Sequence, residues 1–131
     1  MKNNCVAVDM SNKQNETVKQ LRDLLQYQPE SIVSRVLLKN NGGTVTLFAF
    51  SNGEGLSEHT APFDALVNVI EGEAEIGIAP ADVPHEGTVK SDSTLETFRV
   101  RSGEIITLPA NRAHALRATT DFKMLLIMIR A

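Results

Sequence analysis

The sequence has little of what marks secreted or membrane proteins. Its 131 residues include a single cysteine, Cys5, which has no partner for an internal disulfide bond. The chain shows no apolar signal core behind its first basic residue. The longest apolar run, over residues 124–129, is far shorter than the ~20 residues of a membrane helix. These absences predict a cytoplasmic protein that makes no membrane contact.

The chain also lacks an excess of charge of one sign. Thirteen Lys and Arg stand against 16 Asp and Glu, and the basic residues are scattered rather than gathered into a stripe. A stripe is what binding to a phosphate backbone needs, so nucleic acid is not an expected partner. Hydrophobic residues at 42% and charged residues at 22% are ordinary for a globular protein. The length suits one domain with one core.

Residues 1–30 predict a polar arm followed by the only helix. Residues 1–14 are mostly polar around a short apolar CVAV stretch. Thr17 followed by Gln20 has the spacing of a helix capping box. The apolar residues of this stretch recur at helical spacing until Pro29 ends it: Val18, Leu21, Leu24, Leu25 and, less regularly, Tyr27. A helix of about three turns is therefore expected here.

Residues 31–131 predict a domain made of strands. Eight short apolar runs are separated by turn residues, at 31–38, 43–50, 64–70, 74–78, 95–100, 104–109, 113–118 and 122–129. No helical crossover lies between them, which favours a sandwich or barrel over a parallel sheet. The stretch 79–94, which contains His85, has no clear periodicity and is expected to be an exposed loop.

Two stretches carry a family resemblance. Residues 53–76 and 101–118 each set one histidine, His59 or His114, at a fixed distance from a glycine turn and an apolar strand. Together they resemble the paired motifs of the cupin superfamily, and the resemblance extends over roughly residues 34–129. It implies an antiparallel jelly-roll β-barrel over residues 31–131, preceded by the arm and helix of residues 1–30.

The resemblance also implies where a metal would bind, and the sequence departs from the family there. Cupin motifs supply three histidines and a glutamate that face into the barrel. Here His59 and His114 are kept, Ser57 stands in place of the other histidine, and Ala65 in place of the glutamate, with Asp64 beside it. If the strand is regular, Ala65 faces inward and Asp64 outward, unless a bulge turns Asp64 into the site.

The second motif keeps more of its framework. Gly103 and Pro109 occupy their expected positions, and Asn111 replaces a glycine. Asn suits that turn because it accepts a positive φ more readily than most residues do.

These residues define a candidate pocket and leave its chemistry open. We expect Ser57, His59, His114 and Met124 to line the lumen, where two imidazoles could hold Zn²⁺, Fe²⁺, Mn²⁺, Ni²⁺ or Cu²⁺. Stable sites usually have three or four protein ligands. A third would have to be Asp64, Glu58, Met124 or a residue of the arm. Alternatively, the histidines bond to each other, to Ser57 or to water in a barrel that binds an organic ligand or nothing.

Two functions from different classes follow. The leading one is a small cupin barrel of undefined specificity that binds a small molecule in its lumen, with or without a divalent metal. The alternative is a metal-dependent dioxygenase or isomerase that uses His59 and His114 as ligands. Neither the substrate nor catalytic activity is indicated by the sequence. Outward apolar residues such as Leu66 and Ile70, together with the resemblance, predict a homodimer.

Overall fold

The computed structural model of the chain describes residues 17–80 and 95–131. Cys5, the polar arm, His85 and most of the 79–94 loop lie outside the described residues. The described part consists of one short 3-10 helix, Leu21–Asp23, and nine strands. The strands are β1 Ile32–Asn40, β2 Gly43–Phe50, β3 Gly55–His59, β4 Phe63–Glu71, β5 Glu73–Ile78, β6 Glu96–Arg101, β7 Ile105–Leu108, β8 His114–Ala118 and β9 Phe122–Arg130.

The strands form two antiparallel sheets. One has five strands in the order β1-β2-β9-β4-β7, and the other has four in the order β3-β8-β5-β6. Consecutive strands β4 and β5 fall in different sheets, as do β6 and β7, so the chain crosses repeatedly between the two layers. The inner faces of both sheets bury a common core. The predicted antiparallel all-β class is thereby confirmed.

Strand β3 is the element that the apolar pattern did not predict. Its sequence GLSEH has one aliphatic side chain, Leu56, and most of its residues are exposed. Among the described strands, it lies at the edge of the four-stranded sheet and pairs with β8 alone. An edge strand buries little, so it lacks the alternating apolar signal that identifies the others.

The core between the sheets is closed by aromatic packing at one end. Phe50 of β2 and Phe122 of β9 are fully buried, and their rings stack with centroids 4.8 Å apart. Val69, Ala74 and Ala118 are fully buried as well. They belong to the same apolar cluster as the two rings.

The predicted N-terminal helix is wrong. Within residues 17–30, all of which the structure describes, the single 3-10 turn Leu21–Asp23 is the only helical element, and Val18, the first residue of the expected apolar face, is exposed. Backbone carbonyls that would accept hydrogen bonds within a helix instead accept hydrogen bonds from distant side chains. Arg22 O accepts from Lys123 Nζ at 2.6 Å, and Leu24 O accepts from Arg35 Nη1 at 3.2 Å. Tertiary contacts therefore override the helical propensity of the segment.

The apolar residues of this segment still pack together, on the outer face of the five-stranded sheet. Leu21, Leu24, Leu25 and Tyr27 join a second cluster around the sheet residues Val33, Leu47 and Ala49. The segment also buries Lys123, whose ammonium group lies 3.6 Å from the Glu71 carboxylate and 4.9 Å from the centre of the Tyr27 ring. Burial, and then the charge of Glu71, raise the pKa of the Tyr27 hydroxyl.

Two turns have the backbone conformations that their residues predict. Asn111 has φ +64°, which confirms the expectation for this position. Gly72, between β4 and β5, has φ +80°, and a Cβ atom there would lie 2.1 Å from Asp121 O. This turn therefore requires glycine both for its conformation and for its space.

No helix within residues 17–80 and 95–131 is long and apolar enough to cross a membrane. The cytoplasmic location and the division at residue 30 remain predictions.

Candidate functional site

The two motif histidines are direct neighbours across a strand pair. His59 ends β3, His114 begins β8, and the two residues are paired in the antiparallel register. Their ring centroids are 4.5 Å apart, with the ring planes at 72°. Residues 55 positions apart in sequence are therefore brought within reach of one ion or one small ligand.

Hydrogen bonds to the backbone set the protonation pattern of both rings. The Nδ1 atom of His59 lies 2.7 Å from Ser57 O, and that of His114 lies 3.2 Å from Arg112 O. A carbonyl oxygen can only accept, so Nδ1 carries the proton in each neutral ring. Each Nε2 then has a free lone pair, which can bind a metal ion or accept a hydrogen bond.

The two rings differ in burial. His59 is exposed and His114 is half-buried. Burial, and then the charge of His59, lower the pKa of His114, while the bond to Arg112 O acts in the opposite direction. His114 is consequently neutral at physiological pH, and its Nε2 lone pair is available.

Both imidazoles line an apolar cavity between the sheets, with a volume of about 70 Å³. Val67, Ile76 and Met124, which are almost fully buried, also line it, whereas His59 is exposed. The imidazoles therefore lie toward the solvent end of the cavity. Its other lining residues are apolar: Leu56, Ala61, Phe63, Ala65, Leu108, Ala115, Leu116, Leu126 and Met128.

Met124, expected in the pocket, lines the cavity, but Ser57 does not. The register of β3 shifts between Leu56 and His59, and these two residues both line the cavity although they are three positions apart. Such a bulge breaks the alternation that would have placed Ser57 on the same face as His59. Ser57 contributes its carbonyl group, which orients the His59 ring.

Asp64, considered as a third metal ligand, is not brought to the imidazoles. It is exposed, and its Oδ1 accepts a hydrogen bond from Ala110 N at 2.9 Å. The register of β4 is regular from Phe63 to Val69, so no bulge turns Asp64 inward. As the alternation predicted, Ala65 lines the cavity instead.

The apolar pattern could have identified part of the remaining lining. Leu126 and Met128 follow Met124 at alternate positions of β9, so regular alternation places them on the same face. Ala61 lies before β4, outside a strand, where alternation predicts nothing. Its carbonyl accepts from Asn111 N at 2.8 Å, which ties this turn to the one before β8.

Among the described residues, the adjacent His59 and His114 are the two that could serve as ligands of one metal ion. Within residues 17–80 and 95–131, no group of three or more His, Cys, Asp or Glu residues could hold an ion together. Glu58, another candidate, is exposed and does not line the cavity. The pair is one ligand short of the three that a catalytic zinc site or a facial iron site takes from the protein.

Comparisons with known proteins give structural relatives. No family model and no curated protein matches the chain. A conserved protein of unknown function from Streptococcus pyogenes is 30% identical, with 88% of each chain covered and a TM-score of 0.73. A cupin superfamily protein from Desulfitobacterium hafniense is 24% identical, with 88% of this chain and 93% of that one covered and a TM-score of 0.70.

A third solved structure has the highest identity of these three. A cupin 2 conserved barrel domain protein from Leptotrichia buccalis is 36% identical over 82% of this chain, with a TM-score of 0.69. The match covers 45% of that longer chain. None of the three descriptions states a ligand or a reaction.

Proposed function

This chain belongs to the cupin superfamily, and we propose that its barrel holds one small organic molecule in the lumen, against His59 and His114. The observation that carries the proposal is the apolar cavity that ends at two imidazoles. Small-molecule sites commonly combine an apolar lining with a few convergent polar groups. Here the polar groups are two ring nitrogens held in place by backbone carbonyls.

The metal-dependent enzyme remains the second candidate. It is supported by the two adjacent rings, each with a free Nε2, since imidazole nitrogen binds several divalent ions. The missing third ligand among the described residues weighs against it. Elemental analysis of protein purified without a histidine tag tests it: one ion per chain, lost when His59 or His114 becomes Ala, would favour this candidate over the organic ligand.

The organic ligand can be tested through the methionine methyl groups. The chain has four methionines, and two of them, Met124 and Met128, line the cavity. In protein labelled with ¹³C at these methyl groups, small compounds that enter the lumen should shift the Met124 and Met128 signals. Met124→Leu and Met128→Leu variants assign the two signals.

A matched variant separates entry into the lumen from surface binding. Ala65→Leu adds three carbons to a side chain that lines the cavity, and it should abolish the shifts. Leu66→Ile alters the next residue, which lies on the opposite face of β4, and should leave them unchanged. A library of small compounds that shifts neither methyl signal in the unaltered protein would contradict the proposal.

A homodimer is proposed on the outer face of the five-stranded sheet. Residues paired from strand to strand form an apolar row across β1, β2, β9 and β4: Leu38, Val45, Ile127 and Leu66. Leu38 is 60% exposed, and Ile129, two residues from Ile127, is 58% exposed. Sedimentation equilibrium at micromolar concentration should give about twice 14.3 kDa. Leu66→Lys should reduce this mass, and an unaltered chain that sediments as a monomer would exclude the dimer.

A further inference from the structure

We propose that the ligand of this lumen is a neutral molecule of about three carbons, with a compact apolar stem and a head that donates hydrogen bonds to both imidazoles. A short-chain primary amide has this chemistry. The inference rests on the proposed small-molecule function and adds the class of ligand.

The head group follows from the positions of the ring protons. Both Nδ1 atoms face backbone carbonyls, of Ser57 and of Arg112, so both Nε2 atoms accept when the rings are neutral. A primary amide offers two N–H donors on one nitrogen. A carboxylate offers acceptors only, and its oxygens would face the two lone pairs of His59 and His114 without a proton between them.

The neutrality of the ligand follows from the remaining lining. Among residues 17–80 and 95–131, every side chain that lines the cavity, apart from the two imidazoles, is aliphatic, aromatic or a thioether, and none of these carries a formal charge. A charged ligand would give up part of its hydration beside the half-buried His114 and would find no counter-ion among these lining side chains, which opposes its binding. A neutral head avoids that cost.

The length of the stem follows from the volume. An apolar cavity of about 150 Å³ holds benzene, which has six carbons. The cavity here is about half as large, at about 70 Å³, and therefore accommodates about three carbons. Val67, Ile76 and Met124 bound its buried part, and each is at most 1% exposed.

The test compares propionamide with two other compounds: propionate, which has no N–H donor and carries a negative charge, and hexanamide, which has a longer stem. Propionamide, propionate and hexanamide are titrated to millimolar concentration at about pH 8, above the ordinary pKa of histidine. The Met124 and Met128 methyl signals report binding. Propionamide should shift both signals saturably. Propionate, the same size without donors, should bind at least about tenfold more weakly, and hexanamide, with a longer stem, should not enter.

A histidine variant tests whether the imidazole accepts the bond. His114→Leu removes one Nε2 acceptor and should weaken propionamide binding about tenfold, while xenon, which needs only an apolar cavity, should still shift the methyl signals. His59→Leu, at the more exposed ring, is the second variant if the first does not fold. Unchanged propionamide affinity in a folded variant would overturn the inference.

The outcomes separate the ligand class from the function on which it rests. If propionate or hexanamide binds as tightly as propionamide, the proposed ligand class is wrong, although the lumen remains a binding site. The same holds if xenon enters and propionamide does not. If neither xenon nor any of the three compounds shifts Met124 or Met128, the proposed function fails and the inference fails with it.

Discussion

The two ends of the sandwich interior are built from the same strands and differ in how they are filled. At one end Phe50 and Phe122 stack face to face, and Ala74 and Ala118 are fully buried beside the same core. At the other end, here called the hollow end, the same sheets leave a cavity beside Ala65 and His114. Strand β9 passes from one to the other, with Phe122 at the filled end and Met128 at the hollow end.

The two ends differ in the side chains that the sheets turn inward. Alternation turns every second residue inward from Phe63 to Val69 of β4 and along the residues of β9 that pair with them. At the hollow end the small side chain of Ala65 borders the cavity, whereas at the filled end two stacked aromatic rings occupy the interior. A substitution that changes size should therefore have different effects at the two ends.

The largest effect is expected when the filled end is emptied. Phe122→Ala removes a fully buried ring and its stacking contact with the ring of Phe50. The free energy of unfolding, measured by urea denaturation, should fall by about 3–5 kcal/mol. A loss below about 1 kcal/mol would show that this end is not packed as tightly as its burial indicates.

A matched pair of substitutions compares the ends directly. Ala118→Leu overfills the filled end, where Ala118 is fully buried, and should lower the free energy of unfolding by about 1–3 kcal/mol. Ala65→Leu places the same added carbons in the cavity and should cost less than about 1 kcal/mol. Equal losses for the two variants in urea denaturation would remove the distinction between the ends.

The smallest effect is a pH dependence that belongs to the hollow end. Burial, and then the charge of His59, lower the pKa of His114 in the fold. As pH falls below about 6.5, the unfolded chain takes up the His114 proton before the folded one does, so stability decreases. The decrease ends once the pH is below the lowered pKa, and above about pH 6.5 this residue contributes no slope.

The thermal midpoint measures that dependence. When the pH is lowered from about 7.5 to 5, the thermal midpoint of the unaltered protein should fall further than that of the His114→Gln variant, since glutamine does not titrate. The difference between the two proteins isolates His114 from the carboxylates, which titrate in both. If the midpoint of His114→Gln falls by as much or more, the pKa of His114 is not lowered by the fold.

Much of the fold could be predicted from the sequence because buried strands alternate. All eight runs with apolar alternation became strands, and the inward position of Ala65 followed from counting along β4. The failures lie where burial gives no such pattern. Strand β3 is an edge strand with one aliphatic residue, and the 21–27 segment has helical spacing but bonds its carbonyls to distant side chains.

The candidate site was predictable in part for the same reason. The motif positions brought His59 and His114 together, because both belong to strands that pair. Ser57 was predicted to line the pocket and does not, because β3 contains a bulge that the amino-acid sequence does not reveal. The acceptor state of both Nε2 atoms also could not be predicted, since it depends on backbone carbonyls whose positions only the fold determines.

The state of the two ring nitrogens is measured most directly by long-range ¹H–¹⁵N NMR at about pH 8, where neutral imidazoles dominate. Three histidines are present, and His85→Gln and His114→Gln variants assign their signals. We predict that His59 and His114 both carry the proton on Nδ1, with Nε2 unprotonated. Protons on Nε2 of either ring would contradict the acceptor geometry from which the ligand chemistry of the lumen is derived.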